Sequence, residues 1–188
     1  MLLTKLNRPI MSPGLIERLD LLQKIGNKRH VPLVLVSAPA GFGKSVLINQ
    51  WINHNQSNYA WISLDENMND SKIFIGYFIE MLKKAGVEDK KKLKKLLEEH
   101  HLLSWEAIIS VIINIINEFQ HKTILILDDY YLIKNEEIHQ LFETLLKERL
   151  SNLQLVIITR WDPPFKLSNL RLYQEILEIR MRDLRFNH

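Results

Sequence analysis

Four aliphatic residues, Leu33-Val34-Leu35-Val36, run without interruption into Ser37-Ala38-Pro39-Ala40-Gly41-Phe42-Gly43-Lys44-Ser45, and the residues from Ser45 to His54 then read as a helix. A short, continuous, β-branched run suits a strand buried on both faces of a parallel sheet. Small residues and glycines between such a strand and a helix let consecutive backbone N–H groups turn inward, and the helix N-terminus adds its partial positive charge. Ala38 to Ser45 fits the phosphate-binding loop pattern, with alanine in place of the first glycine. In that pattern Lys44 reaches the β- and γ-phosphates and the Ser45 hydroxyl takes one Mg²⁺ coordination position. The predicted binding set is Ala38, Pro39, Ala40, Gly41, Phe42, Gly43, Lys44, Ser45 and Val46.

The rest of the chain repeats this alternation. Helices are expected over Leu15 to Ile25, Asp70 to Ala85, Glu106 to Phe119 and Glu136 to Leu150, and strands over Tyr59 to Leu64, Thr123 to Leu127, Leu153 to Thr159 and, more weakly, Glu175 to Ile179. The isoleucine-rich segment from Glu106 is the ambiguous one, because isoleucine favours strands. Its polar residues Glu106, Ser110, Asn114, Asn117 and Glu118 recur at four-then-three spacing, which makes one wet stripe on a helix. Buried strands alternating with helices predict an α/β domain with a parallel sheet. Without an internal repeat or a Pro/Gly/Ser linker, the 188 residues read as one domain, an N-terminal segment and helix over 1–30 followed by a core over 31–186.

Two further strands end in chemically useful residues. Ile124-Leu125-Ile126-Leu127 runs into Asp128-Asp129, and Val156-Ile157-Ile158 into Thr159-Arg160. Parallel strands bring their C-terminal ends to one edge, so Asp128 is expected to face the Mg²⁺ held by Ser45, and Asp129 to orient or deprotonate an attacking water. Arg160 would stabilise charge on the γ-phosphate; its plainer reading is a surface ion pair.

Composition removes other classes. Apolar residues make up 46% and charged residues 25%, as in soluble globular proteins, and the longest apolar stretch is far short of the roughly 20 residues a bilayer span needs. With no cysteine there is no disulfide framework and no thiolate nucleophile, and with no signal-peptide core behind Met1 the cytoplasm is the expected location. The net charge of +3 is local: seven lysines face four carboxylates between Lys83 and Glu99, and the remaining basic and acidic residues balance. That segment reads as a solvated helix face, and no broad electropositive surface for nucleic acid is expected. The histidines form no metalloprotease pattern, and Trp61, Phe74, Tyr77 and Phe78 read as core or interface residues.

Over nearly the whole chain, a set of segments occurs in a familiar order: Met1-Leu2-Leu3-Thr4-Lys5-Leu6 with Pro9, the loop from Ser37 to Ser45, Trp61-Ile62-Ser63-Leu64-Asp65-Glu66, Asp128-Asp129-Tyr130 with Leu132-Ile133, Thr159-Arg160 with Pro163-Pro164, Leu170-Arg171, and Leu184-Arg185-Phe186. Together they resemble the MalT-like, LuxR-type bacterial transcriptional activators, members of the STAND signal-transduction ATPases. The resemblance implies a P-loop NTPase fold, AAA+/STAND-like, with five parallel strands flanked by helices, the Thr159-Arg160 strand lying between the phosphate-loop strand and the Asp128 strand, and Arg160 acting as a sensor arginine. It implies a switch: ADP holds such proteins inactive, inducer plus ATP permits self-association, and slow Mg²⁺-dependent ATP hydrolysis resets them. In related ATPases an N-terminal arginine lies near the adenine; Arg18 is the positional candidate, with a helix-surface role as its other reading. The family usually has aspartate where this sequence has Met68 and histidine where it has Tyr131, neither of which phosphate or Mg²⁺ binding requires. Winged-helix, helical-repeat and helix-turn-helix domains follow the ATPase core in the family. None is expected in these residues, which read as an excised or truncated nucleotide-binding domain that does not itself bind DNA or a membrane.

Two other functions compete with a switch domain of weak ATPase activity. A stand-alone phosphotransferase would share the loop but should carry an arginine-rich lid, whereas the long insert Lys83 to His101 holds lysine and glutamate and no arginine. A nucleotide-dependent interaction module would bind without significant hydrolysis.

Overall fold

The computed structural model describes residues 2–12, 14–54, 57–87 and 90–185, Lys90 by its backbone alone. Met1, Glu88, Asp89 and Phe186, all used in the sequence reading, lie outside the described residues. The strands are β1 (Leu33–Ser37), β2 (Asn58–Ser63), β3 (Thr123–Asp128), β4 (Leu153–Thr159) and β5 (Ile176–Arg180). They form one sheet in the order β2-β3-β4-β1-β5, and each paired neighbour is parallel. Inserting β4 between β1 and β3 is the crossover that sets the ends of three strands side by side, the usual place for a ligand in an open α/β sheet.

The continuous apolar runs are explained by burial on both faces: every residue of β1, β3 and β4 is buried. Leu33, Leu35, Leu125, Leu127, Leu155 and Ile157 point into one layer, and Val34, Val36, Ile124, Ile126, Val156 and Ile158 into the other. The first layer is covered by α3 (Ser71–Lys84), α5 (Trp105–Asn117) and α6 (Glu136–Lys147), through residues such as Phe74, Phe78, Ile112 and Phe142. The second is covered by α1 (Leu19–Gly26) and α2 (Lys44–Asn53), through Ile25, Leu47, Ile48 and Trp51. Fully burying one such aliphatic or aromatic side chain is worth roughly 1.5–3 kcal/mol.

Side-chain caps fix the helix starts: Asp70 accepts from the N–H groups of Lys72 and Ile73, Ser104 from Ala107 and Asn135 from Glu137. On α5, Glu106, Ser110, Asn114, Asn117 and Glu118 are all exposed, so the wet stripe faces solvent. The lysine-rich segment forms α4 (Lys90–Glu99), which buries Leu93 and Leu96 and pairs Lys92 with Glu118, Lys94 with Glu98 and Lys95 with Glu99. The short helices α7 (Ser168–Leu172) and α8 (Met181–Leu184) complete the elements used below.

One helix boundary departs from the sequence expectation. Periodicity placed the first helix over Leu15 to Ile25, but α1 starts at Leu19, and residues 15–18 run as a strap over α2. Long-range hydrogen bonds override the local pattern: the Gln50 side chain donates to the Ile16 carbonyl (3.2 Å), and the Arg18 guanidinium donates to the carbonyls of Asp183 (2.9 Å) and Leu184 (3.0 Å). Among the described residues no helix is long and apolar enough to cross a membrane.

Candidate functional site

Leaving β1, the chain turns through Ala38–Gly43 and enters α2 at Lys44. Gly41 (φ 84°) and Gly43 (φ 72°) both take the left-handed backbone that side chains disfavour, and Gly43 is the N-cap of α2. A Cβ at either glycine would meet nothing within 4 Å, so the loop surrounds open space and backbone sign is what selects glycine here. No side chain caps this helix and its first turn holds no acidic residue. Among the described residues, the N–H groups of Gly41 through Val46 find no protein acceptor. Orphan donors on the positive end of a helix form a cradle for an anion such as phosphate.

Facing the cradle are the ends of β3 and β4. The Ser45 hydroxyl donates to Asp128 Oδ1 (3.0 Å), which also accepts from the backbone N–H of Asp129 (3.0 Å). Asp128 is only 4% exposed; burial, helped by the neighbouring charge of Asp129, pushes its pKa up to about 6 against the pull of these two hydrogen bonds and of Lys44. Lys44 donates to the Pro39 carbonyl (2.8 Å). Burial lowers its pKa, Asp129 and Asp128 oppose the shift, and Arg160 adds to it, so these four charges share one field. A hydroxyl and a carboxylate 3.0 Å apart are hard oxygen donors, and Mg²⁺ is typically held by one or two protein oxygens together with phosphate oxygens. The donor set therefore fits a Mg²⁺–phosphate group.

Asp129 is exposed and takes a left-handed backbone (φ 59°, ψ 37°), an unfavourable state for a residue with a side chain. Arg160, also exposed, lies with its guanidinium 4.3 Å from the centre of the Tyr131 ring, and Trp161 meets that ring edge-on at 5.2 Å.

No family model matches the chain. It is 35% identical over 185 residues to the HTH-type transcriptional regulator MalT of Yersinia pestis, and 33% identical over 185 residues to MalT of Yersinia enterocolitica. Each match covers 98% of this chain and 20% of the relative. Among solved structures, it is similar to a STAND protein with a tetratricopeptide repeat sensor from Pyrococcus horikoshii, with a TM-score of 0.69, 18% identity, and 93% of this chain and 24% of that one covered. It is also similar to Cdc6p from Pyrobaculum aerophilum, with a TM-score of 0.57, 17% identity, and 92% and 46% covered. The chain is MalT-like in sequence and has the P-loop NTPase fold.

The MalT-like domain spans about one fifth of the length of the curated relatives it matches. Its sheet has the expected five parallel strands, with the Thr159-Arg160 strand between the other two functional strands. Loop residues 38–46, Asp128, Asp129 and Arg160 gather at one sheet edge. Beside the loop, a cavity of about 830 Å³ is lined by Leu15, Ile16, Arg18, Phe42, Val46 and Leu184, together with Gly41 and Gly43. Arg18 thus stands on the cavity wall, but its guanidinium is engaged with the carbonyls of Asp183 and Leu184 and tethers the strap to α8. Sequence reasoning missed Leu15 and Ile16, which fall within the helix expected over Leu15 to Ile25, and the Arg160–Tyr131 stack, which joins residues 29 apart with no pattern between them.

Proposed function

We propose that this chain is a nucleotide-binding regulatory domain of a LuxR-type transcriptional activator, working in the cytoplasm, that takes ATP or ADP with Mg²⁺, hydrolyses ATP slowly and uses nucleotide state to control self-association. The observation that carries the reading is the row of unpartnered N–H groups from Gly41 to Val46 beside the Ser45–Asp128 pair. Those donors and the Lys44 ammonium would hold the phosphates; Ser45 and Asp128 would hold Mg²⁺. Bound there, the ion would neutralise phosphate charge. Asp129 would accept a proton from an attacking water, and Arg160 would stabilise charge on the terminal phosphate. The apolar cavity beside Gly41–Gly43 is large enough for a nucleoside, with Leu15, Ile16 and Arg18 on its wall. The MalT relatives' description as transcriptional regulators supports the regulatory half of the reading.

Calorimetry with ADP and ATP, with and without Mg²⁺, tests this directly. Lys44→Ala is expected to weaken both nucleotides by several kcal/mol, on the order of two contacts between a charged donor and a desolvated phosphate. Equal ADP affinity in the two proteins refutes the role given to the loop.

A further inference from the structure

The turn that presents Asp129 is fastened from below by Tyr130, to which no sequence motif assigns a role of its own, and by His139, which no sequence pattern singles out. Asp129 is left-handed, and such a residue persists only where its surroundings over-determine it. The next residue, Tyr130, turns inward: its ring is buried, and its hydroxyl oxygen lies 2.8 Å from Nδ1 of His139 on α6 in a fully buried hydrogen bond. His139 is 4% exposed; burial lowers its pKa and so favours the neutral ring, whose Nδ1 accepts from the phenol. Tyr130 opens the single 3-10 turn Tyr130–Leu132 that follows Asp129, so the histidine fastens that turn at its first residue.

Other contacts complete the clamp. The Tyr130 ring packs edge-on against Phe142 of α6 (5.7 Å) and against Phe165 (6.0 Å), which lies in the segment following Arg160. From the opposite side, the Asn69 side chain donates to the Leu132 carbonyl (2.9 Å) and accepts from the N–H groups of Lys134 and Asn135. The amides of Leu132 and Ile133 close the turn on the carbonyls of Asp129 (3.1 Å) and Tyr130 (3.0 Å).

We infer that Tyr130 and His139 are a positioning pair: their buried hydrogen bond holds the left-handed turn that aims the Asp129 carboxylate toward the cradle. Neither side chain reaches the nucleotide site itself. The conformational half of this inference stands on the geometry alone, and the kinetic half rests on the proposed hydrolysis.

Tyr130→Phe keeps the ring and deletes the hydroxyl; His139→Leu deletes the acceptor; His139→Gln restores an acceptor and a donor. In hydrogen exchange on the nucleotide-free chain, Tyr130→Phe and His139→Leu are expected to speed exchange of the Leu132 and Ile133 amides by about tenfold relative to those of β3 and α6, with His139→Gln close to wild type. In turnover with Mg-ATP, the first two variants are expected to lose about tenfold in kcat with KM within about twofold, and His139→Gln to recover most of the rate. Exchange that rises uniformly along the chain, or not at all at the turn, overturns the inference, as does an unchanged kcat in a chain that hydrolyses ATP. A wild-type chain that binds nucleotide without hydrolysing it counts against the proposed function, and the exchange measurement still decides for or against the pair. Should Tyr130→Phe fail to fold, the contrast between His139→Leu and His139→Gln carries the same decision.

Discussion

Replacing Asp128 with asparagine is expected to make the nucleotide-free chain more stable while weakening the Mg²⁺ dependence of nucleotide binding. Asp128 is nearly sealed from solvent, and its pKa is pushed from the usual 3.8 up to about 6, mainly by burial and then by Asp129. Between those two values the folded chain keeps a proton that the unfolded chain has released, so stability falls as pH rises through this window and is flat above it. At about 1.4 kcal/mol for each pH unit, the ionised carboxylate costs the fold about 3 kcal/mol at neutral pH. Asparagine carries no charge, and its side-chain oxygen can accept from both Ser45 and the Asp129 N–H as Asp128 does. Its amide hydrogens need an acceptor the carboxylate did not require, which reduces the expected gain to about 1–3 kcal/mol.

The assay is urea unfolding of both proteins, free of nucleotide and Mg²⁺, from about pH 4 to about pH 8, with the difference in stability as the readout. Other carboxylates also titrate: Asp162, hydrogen-bonded by Arg180, and Glu178, hydrogen-bonded by Arg171, are held below the usual range and lose stability as pH falls. They are common to both proteins and cancel in the difference. The two curves are expected to converge near pH 4 and to separate fully above about pH 6, with asparagine the more stable. A gap that is constant with pH, or an asparagine variant less stable at neutral pH, refutes the claim that Asp128 is an ionised group held at a cost for a cation. Functional groups held against the stability of the fold are a recurrent feature of binding sites.

Two predictions follow from the rest of the sheet edge. Asp129→Asn is expected to bind Mg-ATP with wild-type affinity by calorimetry and to lose most of its phosphate release, because Asp129 is exposed and makes no side-chain contact with Ser45; identical binding and turnover in Asp128→Asn and Asp129→Asn would remove the separate roles. The chain is expected to show no sequence-selective DNA binding with either nucleotide in a titration at near-physiological salt, since lysines 92, 94 and 95 of α4 already face Glu118, Glu98 and Glu99; a salt-resistant, sequence-selective complex would contradict this.

The parts legible in the sequence were those where one physical demand acts alone. Strands β1, β3 and β4 are buried throughout, so each must be apolar from end to end, and such runs stand out; β5 alternates between buried and half-buried residues and gave the weakest signal. Helix α5 was legible through its polar residues, which solvent alone selects. The loop was legible because left-handed backbone at Gly41 and Gly43 narrows the choice of residue almost to one. Where two demands meet, pattern fails. Leu15 keeps helical spacing with Leu19, Leu22 and Ile25, yet lies outside the helix and is exposed, because Gln50 and the Asp183–Leu184 carbonyls hold the strap away from the helix axis. Helices α7 and α8 are too short for periodicity to register, and α8 is set instead by the Asp183 carboxylate accepting from the Arg180 N–H at 2.8 Å. His139 sits among the apolar residues of α6, where sequence gives no reason to expect burial of a titratable ring. Its partner is Tyr130, nine residues earlier, on a turn whose shape depends on β3, α6 and Asn69 together. Residue identity was enough to single out residues that the fold brings to one sheet edge; the groups that hold those residues in place became visible only through packing.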